Sequence, residues 1–181
     1  EGFKCEKISI EKIKHFVSKD ALNIDGFGKK IVQNFWEIGL IKLPHDIFDL
    51  DFDRISKLDG WGSLSVDNLK KSIQKSKKIS LDKFIFSLGI RHIGQENAKL
   101  LSEFLKKKEN FFRLKDQNYI QELINIDGIG DTQINSLKMF FSEKKNLDVI
   151  SNLSKSLNIQ NFKENKSSGK LKGQVFMFTG K

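Results

Sequence analysis

One short string returns four times along the 181 residues, and it constrains the chain more than any other feature. The copies are Asn23-Ile-Asp-Gly-Phe-Gly28, Lys57-Leu-Asp-Gly-Trp-Gly62, Gly89-Ile-Arg-His-Ile-Gly94 and Asn125-Ile-Asp-Gly-Ile-Gly130. Their last glycines stand 34, 32 and 36 residues apart. Three copies read apolar-Asp-Gly-apolar-Gly, and the third has His92 where the others have Gly26, Gly60 and Gly128. A repeat of this length marks one supersecondary unit used several times.

The flanks say which unit it is. Apolar residues recur at helical spacing on the two sides of the strings. Ile8, Ile10, Ile13, Phe16 and Val17 precede the first string; Ile31, Val32, Phe35 and Trp36 follow it. Val66, Leu69 and Ile73 follow the second. The third lies between Leu81, Phe84, Ile85, Leu88 and Ala98, Leu101, Phe104, Leu105. The fourth lies between Ile120, Leu123, Ile124 and Ile134, Leu137, Phe140, Phe141. The single proline, Pro44, falls between repeats, where a helix is expected to end. Almost no strand pattern precedes residue 173. The expected fold is all-α: a tandem of four helix-hairpin-helix units over residues 8–159.

Residues 160–170 turn polar and read as a linker, and Val175-Phe-Met-Phe-Thr179 reads as a short strand opening a further domain. The chain lacks an initial Met and stops just after that strand, so it is expected to be a piece of a longer protein.

The hairpins carry a binding chemistry. Glycine permits backbone angles that a side chain forbids and lets a ligand approach closely. A helix starting at the second glycine offers N–H groups without internal partners, and its dipole adds partial positive charge. Such an end is an anion site. A DNA phosphate satisfies it without any base being read, so binding is expected to ignore sequence. The expected DNA-contacting residues are Gly26, Gly28, Lys29, Lys30, Gly60, Gly62, Ser63, His92, Gly94, Gln95, Gly128, Gly130 and Thr132. The first and fourth hairpins are the favoured phosphate contacts. Asp131 suits the helix dipole better than it suits a phosphate. His92 is read either as a phosphate contact or as a half-exposed turn residue. Trp61, at a hairpin tip, is read as a contact to a groove or to a neighbouring domain, whereas Trp36 and most of the 16 phenylalanines are read as core.

Charge agrees with this. Lys and Arg number 32 against 23 Asp and Glu, a net charge of +9, which suits a polyanionic partner. The clusters Lys70-Lys71, Lys75, Lys77-Lys78 and Lys106-Lys107-Lys108 read as solvated helix faces or as diffuse attraction to DNA. Lys57-Leu-Asp-Gly60 matches the lysine string of nucleotidyltransferases. It falls inside the second hairpin, opposite Asn23 and Asn125, and lacks the β-rich pocket that a nucleophilic lysine needs, so no catalytic role is expected. Cys5 is the only cysteine, and neither His15 nor His45 completes a zinc spacing with it. No signal peptide and no run of about 18 apolar residues is present, so an intracellular, reducing compartment is expected.

The order of these features resembles the C-terminal half of the bacterial NAD⁺-dependent DNA ligases. The resemblance runs from Cys5 and Ile13-Lys-His-Phe-Val-Ser18 through Ala21 to Gly28 and Phe84 to Gly94. It ends in Leu171-Lys-Gly-Gln-Val-Phe-Met-Phe-Thr-Gly180. In that family a four-cysteine zinc finger leads into tandem helix-hairpin-helix units and then a BRCT domain. The resemblance implies that residues 1–7 are the tail of the finger, with Cys5 its fourth Zn²⁺ ligand, and that 171–181 are the first strand of a truncated BRCT domain. It implies a monomeric, cytoplasmic, nucleoid-associated enzyme that seals nicks in double-stranded DNA in replication and repair. NAD and Mg²⁺ would bind outside this stretch, which is expected to be inactive alone. The second hairpin departs from the family in having Leu64 where a lysine is usual. A different reading of the same hairpins is a non-catalytic scaffold for branched or damaged DNA.

Overall fold

The computed structural model describes residues 6–163. It is mostly helical. Ten α-helices run in chain order: α1 (Glu6–Val17), α2 (Lys29–Glu37), α3 (Phe52–Ile55), α4 (Ser63–Ser76), α5 (Leu81–Ser87), α6 (Gln95–Leu105), α7 (Lys108–Phe112), α8 (Gln117–Gln121), α9 (Asp131–Ser142) and α10 (Lys144–Ser156). Short 3-10 turns cover Pro44–Asp49, Arg113–Lys115 and Glu122–Asn125. Two three-residue strands, β1 (Lys78–Ser80) and β2 (Asn158–Gln160), complete the described residues. Cys5 and the expected strand at 171–181 lie outside them.

The four hairpins share one construction. In each, the N–H of the apolar residue between the glycine positions donates to a carbonyl three residues back: Phe27 to Ile24 (3.2 Å), Trp61 to Leu58 (3.1 Å), Ile93 to Ile90 (3.1 Å) and Ile129 to Ile126 (3.0 Å). The residue before that donor has positive φ: Gly26 (79°), Gly60 (78°), His92 (60°) and Gly128 (89°). A turn bonded in this way with positive φ at its third residue is of type II. The apolar residue then plugs the core. Phe27, Ile93 and Ile129 are buried, and Trp61 is partly so. The second glycine caps the next helix, and its carbonyl accepts the first helical hydrogen bond, from Val32, Val66, Ala98 and Ile134 in turn.

The first helices of the units are less uniform. Before the second hairpin only one turn, α3, remains, capped by the Asp51 carboxylate accepting from Arg54 N at 2.9 Å. Before the fourth, α8 tightens into 3-10 geometry. Three residues per turn align Ile120 with Leu123, both fully buried, and push Ile124 into solvent at 41% exposure. Pro44 lies between α2 and α3, as expected, and starts the 3-10 turn, where its missing N–H has no consequence.

Hairpins pair one with two and three with four. Tip one and α4 line a common cleft, and tip two packs on α2, where Trp61 stands against Phe35 with ring centroids 5.5 Å apart. Tip four leans on α6, since a Cβ at Gly128 would stand 2.9 Å from Leu100 Cδ1. Tip three shares a groove with α9. The pairs join through α1 against α5, where His15 Nε2 lies 2.7 Å from the Phe86 carbonyl oxygen. Helix α10 packs on the Pro44–Asp49 turn. Asn146 at its start is fully buried and donates to Phe140 O at 2.9 Å, which satisfies a carbonyl at the end of α9.

The strands are an addition to the expected all-helical domain. β1 and β2 are parallel, with Ile79 opposite Ile159, both buried. Phe162 N then donates to Lys106 O at 2.8 Å. The packed unit therefore runs past the expected boundary at 159, and the first residues of the expected linker are tied to it.

Candidate nucleic-acid interface

Each expected contact sits at a hairpin tip or in the first turn after it. Gly26, Gly28, Lys29, Lys30, Gly60, Gly62, Ser63, His92, Gly94, Gln95, Gly128 and Thr132 are exposed; Gly130 is half-buried. The chain therefore presents four helix N-termini, those of α2, α4, α6 and α9, on exposed glycine-rich corners.

The two glycine positions do different work. The first has positive φ and is needed by the turn. The second does not: φ is −66° at Gly28, −84° at Gly62, −80° at Gly94 and −113° at Gly130, all open to any residue. A Cβ at Gly28, Gly62 or Gly94 would meet no atom within 4 Å, and at Gly130 only Gln133 Oε1 at 3.6 Å. Neither backbone angle nor internal packing calls for glycine there. As an N-cap, glycine is also poorer than Ser, Asp or Asn, because it brings no oxygen to accept the N–H groups of the first turn. Four corners thus keep bare N–H groups behind a residue with no side chain. The arrangement admits an external oxyanion and gives it donors.

The corners are unequal in the groups they present. Corner one adds Lys29 and Lys30, and corner two adds Ser63. At corner four the Gln133 side chain accepts from Gly130 N at 3.1 Å, so one donor is already used. Asp131 adds negative charge beside it. Donor use and charge thus set the fourth hairpin apart from the first, with which the sequence grouped it. The only cue to this was a glutamine three residues after the cap, half of a capping-box pattern. At corner three Glu96 sits in the first turn.

His92 adopts at φ 60° the geometry that its counterparts reach with glycine. Asn97 Nδ2 donates to its carbonyl at 3.0 Å and holds the turn. Left-handed backbone is tolerated by short polar residues and costs a branched one about 1–3 kcal/mol. His92→Val is expected to lower unfolding free energy by about that much, and His92→Gly to leave it unchanged or raise it by up to about 1 kcal/mol. Urea denaturation of the two variants checks that order; equal stabilities would show that the turn is not strained.

Tips one and two and α4 line a cleft of about 690 Å³, with Trp61, Ile31 and Leu69 its apolar lining residues. Lys57 is exposed on the second hairpin. Leu64 is 71% exposed in the first turn of α4. Among the described residues no cluster of three or more His, Cys, Asp or Glu could hold a metal ion, and no helix is long and apolar enough to cross a membrane.

Repeated turns of this geometry, each feeding an uncapped helix, define a tandem helix-hairpin-helix protein, and residues 83–150 match the family model described as "Helix-hairpin-helix motif". That match covers the third and fourth hairpins. The whole chain is 60% identical to a DNA ligase of Pelagibacter ubique (strain HTCC1062), covering 100% of this chain and 27% of that protein. It is 42% identical to a DNA ligase of Rickettsia bellii (strain RML369-C), covering 99% of this chain and 28% of that protein. Over its whole length the chain is homologous to these DNA ligases, and it spans about a quarter of the length of these curated relatives.

Proposed function

We propose that this chain is the DNA-gripping segment of an NAD⁺-dependent DNA ligase and binds the backbone of nicked duplex DNA without regard to sequence. The observation that carries the reading is the second glycine of each hairpin, which neither turn nor core requires and which opens the following helix N-terminus to a phosphate. Backbone N–H groups of the first turn donate to phosphate oxygens, and the helix dipole strengthens those bonds. Lys29 and Lys30 add charge at corner one, and the Ser63 hydroxyl adds a donor at corner two. Corners one and two form one side of the grip and corners three and four the other.

In this reading the chain positions DNA and carries out no chemistry itself. Joining the 3′-hydroxyl to the 5′-phosphate, with NAD⁺ and Mg²⁺, belongs to other parts of the enzyme. Cys5 is proposed as one of four zinc ligands, the other three lying in preceding sequence. The enzyme is proposed to act as a cytoplasmic monomer in repair and replication.

A salt titration tests the backbone account. Phosphate contacts release counterions, so the logarithm of the binding constant should fall against the logarithm of salt with a slope steeper than about −2, the same for unrelated duplexes. A flat dependence would refute the grip on phosphates. Competition between nicked, intact and branched duplexes tests the ligase assignment, and a strong preference for branches would overturn it.

A further inference from the structure

The cleft between tips one and two has features that a duplex backbone does not use. Part of its lining is apolar, supplied by Ile31, Leu69 and Trp61. A phosphate track gives such apolar groups nothing to cover. Along one wall α4 presents Asn68, Lys71, Ser72 and Lys75, spaced so that one helix face looks into the cleft. From Ser65 to Lys75 that wall is about 15 Å long. The single carboxylate in the lining, Asp25, lies on tip one, so the lysines leave the α4 wall positive.

An aromatic platform beside a lysine-lined groove is the general device for holding single-stranded nucleic acid, in which a base stacks on the ring while cations follow its phosphates. In a paired duplex the base faces are covered by their neighbours and cannot reach an indole. A volume of about 690 Å³ is in the range of small-molecule sites, enough for a nucleotide. We propose that this cleft binds unpaired DNA: a base against Trp61, its edge to Asn68 and Ser72, and the adjoining phosphates to Lys71 and Lys75. The site would take a frayed or displaced end next to duplex held by the hairpins. This site shares tips one and two with the duplex grip but uses different atoms.

The test measures the whole chain against three labelled probes by fluorescence anisotropy: a short oligothymidylate, a blunt duplex, and the same duplex with an unpaired tail. The wild type should bind the oligothymidylate, and should bind the tailed duplex more tightly than the blunt one. Ser72→Glu, which puts a negative charge into the wall more than two turns along α4 from its start at the second hairpin, should weaken oligothymidylate binding about tenfold and remove the advantage of the tail. Blunt-duplex affinity should change less than about twofold. Trp61→Leu should act on the oligothymidylate in the same direction, with thermal unfolding followed to confirm that both variants fold. Failure to bind oligothymidylate at concentrations that saturate with duplex would overturn the proposal. An equal weakening on all three probes would also overturn it. Absence of wild-type binding to the blunt duplex, with the oligothymidylate still held, would refute the duplex grip and leave this site standing.

Discussion

Gly28→Val together with Gly62→Val is expected to lower affinity for every duplex by at least about tenfold, because each side chain would occupy the space a phosphate needs, and a hydrogen bond to a charged group is worth about 1.5–3 kcal/mol. The fold should survive. Both positions have extended backbone, at φ −66° and −84°, and a Cβ there meets no atom within 4 Å. Valine is a poorer N-cap than glycine, so stability should fall by about 0.5–1 kcal/mol per site. The salt dependence should become shallower by about one for each phosphate that the variant no longer holds. Binding isotherms on two unrelated duplexes decide the matter. Unchanged affinity, or a weakening confined to one sequence, would remove the phosphate account of these corners.

Gly128→Val should do the reverse, unfolding the protein more than it alters binding to DNA. Its φ of 89° is strained for a branched residue, and the new Cβ would stand 2.9 Å from Leu100 Cδ1. Backbone strain of about 1–3 kcal/mol and crowding of about 1 kcal/mol or more add to an expected destabilisation of about 2–4 kcal/mol. Leu100 is flexible at its end and yields part of the second contribution. Urea unfolding measures the sum. A change below about 0.5 kcal/mol would show that the turn can be remade without its left-handed residue. Taken together, the two experiments separate a glycine kept for the fold from one kept for a partner.

Much of this architecture was legible from single residues. The strings 23–28, 57–62 and 125–130 predict a tight glycine turn and a helix after the second glycine, and the structure has both, with positive φ confined to the first glycine. Lys57 was recognisable as part of a hairpin because Asn23 and Asn125 hold the same place. These are local effects, decided within four or five residues by steric limits on φ and by the N–H groups a helix leaves unpaired.

Tertiary structure decided the rest. β1 and β2 pair across 80 residues of chain, and three residues each are too few to show a period of two, so nothing in the string announced them. Ile124, counted with the apolar face, is turned outward by 3-10 tightening before the fourth hairpin. Gln133 takes the Gly130 N–H and sets the fourth corner apart from the first, with which the sequence grouped it. The pairing of tips one and two, and the cleft between them, bring Trp61 of one repeat against Phe35 of another. The repeated string thus determined what each hairpin is, because turn and cap chemistry is local. Which donors stay open, and what two tips enclose, depended on packing between residues far apart in the chain.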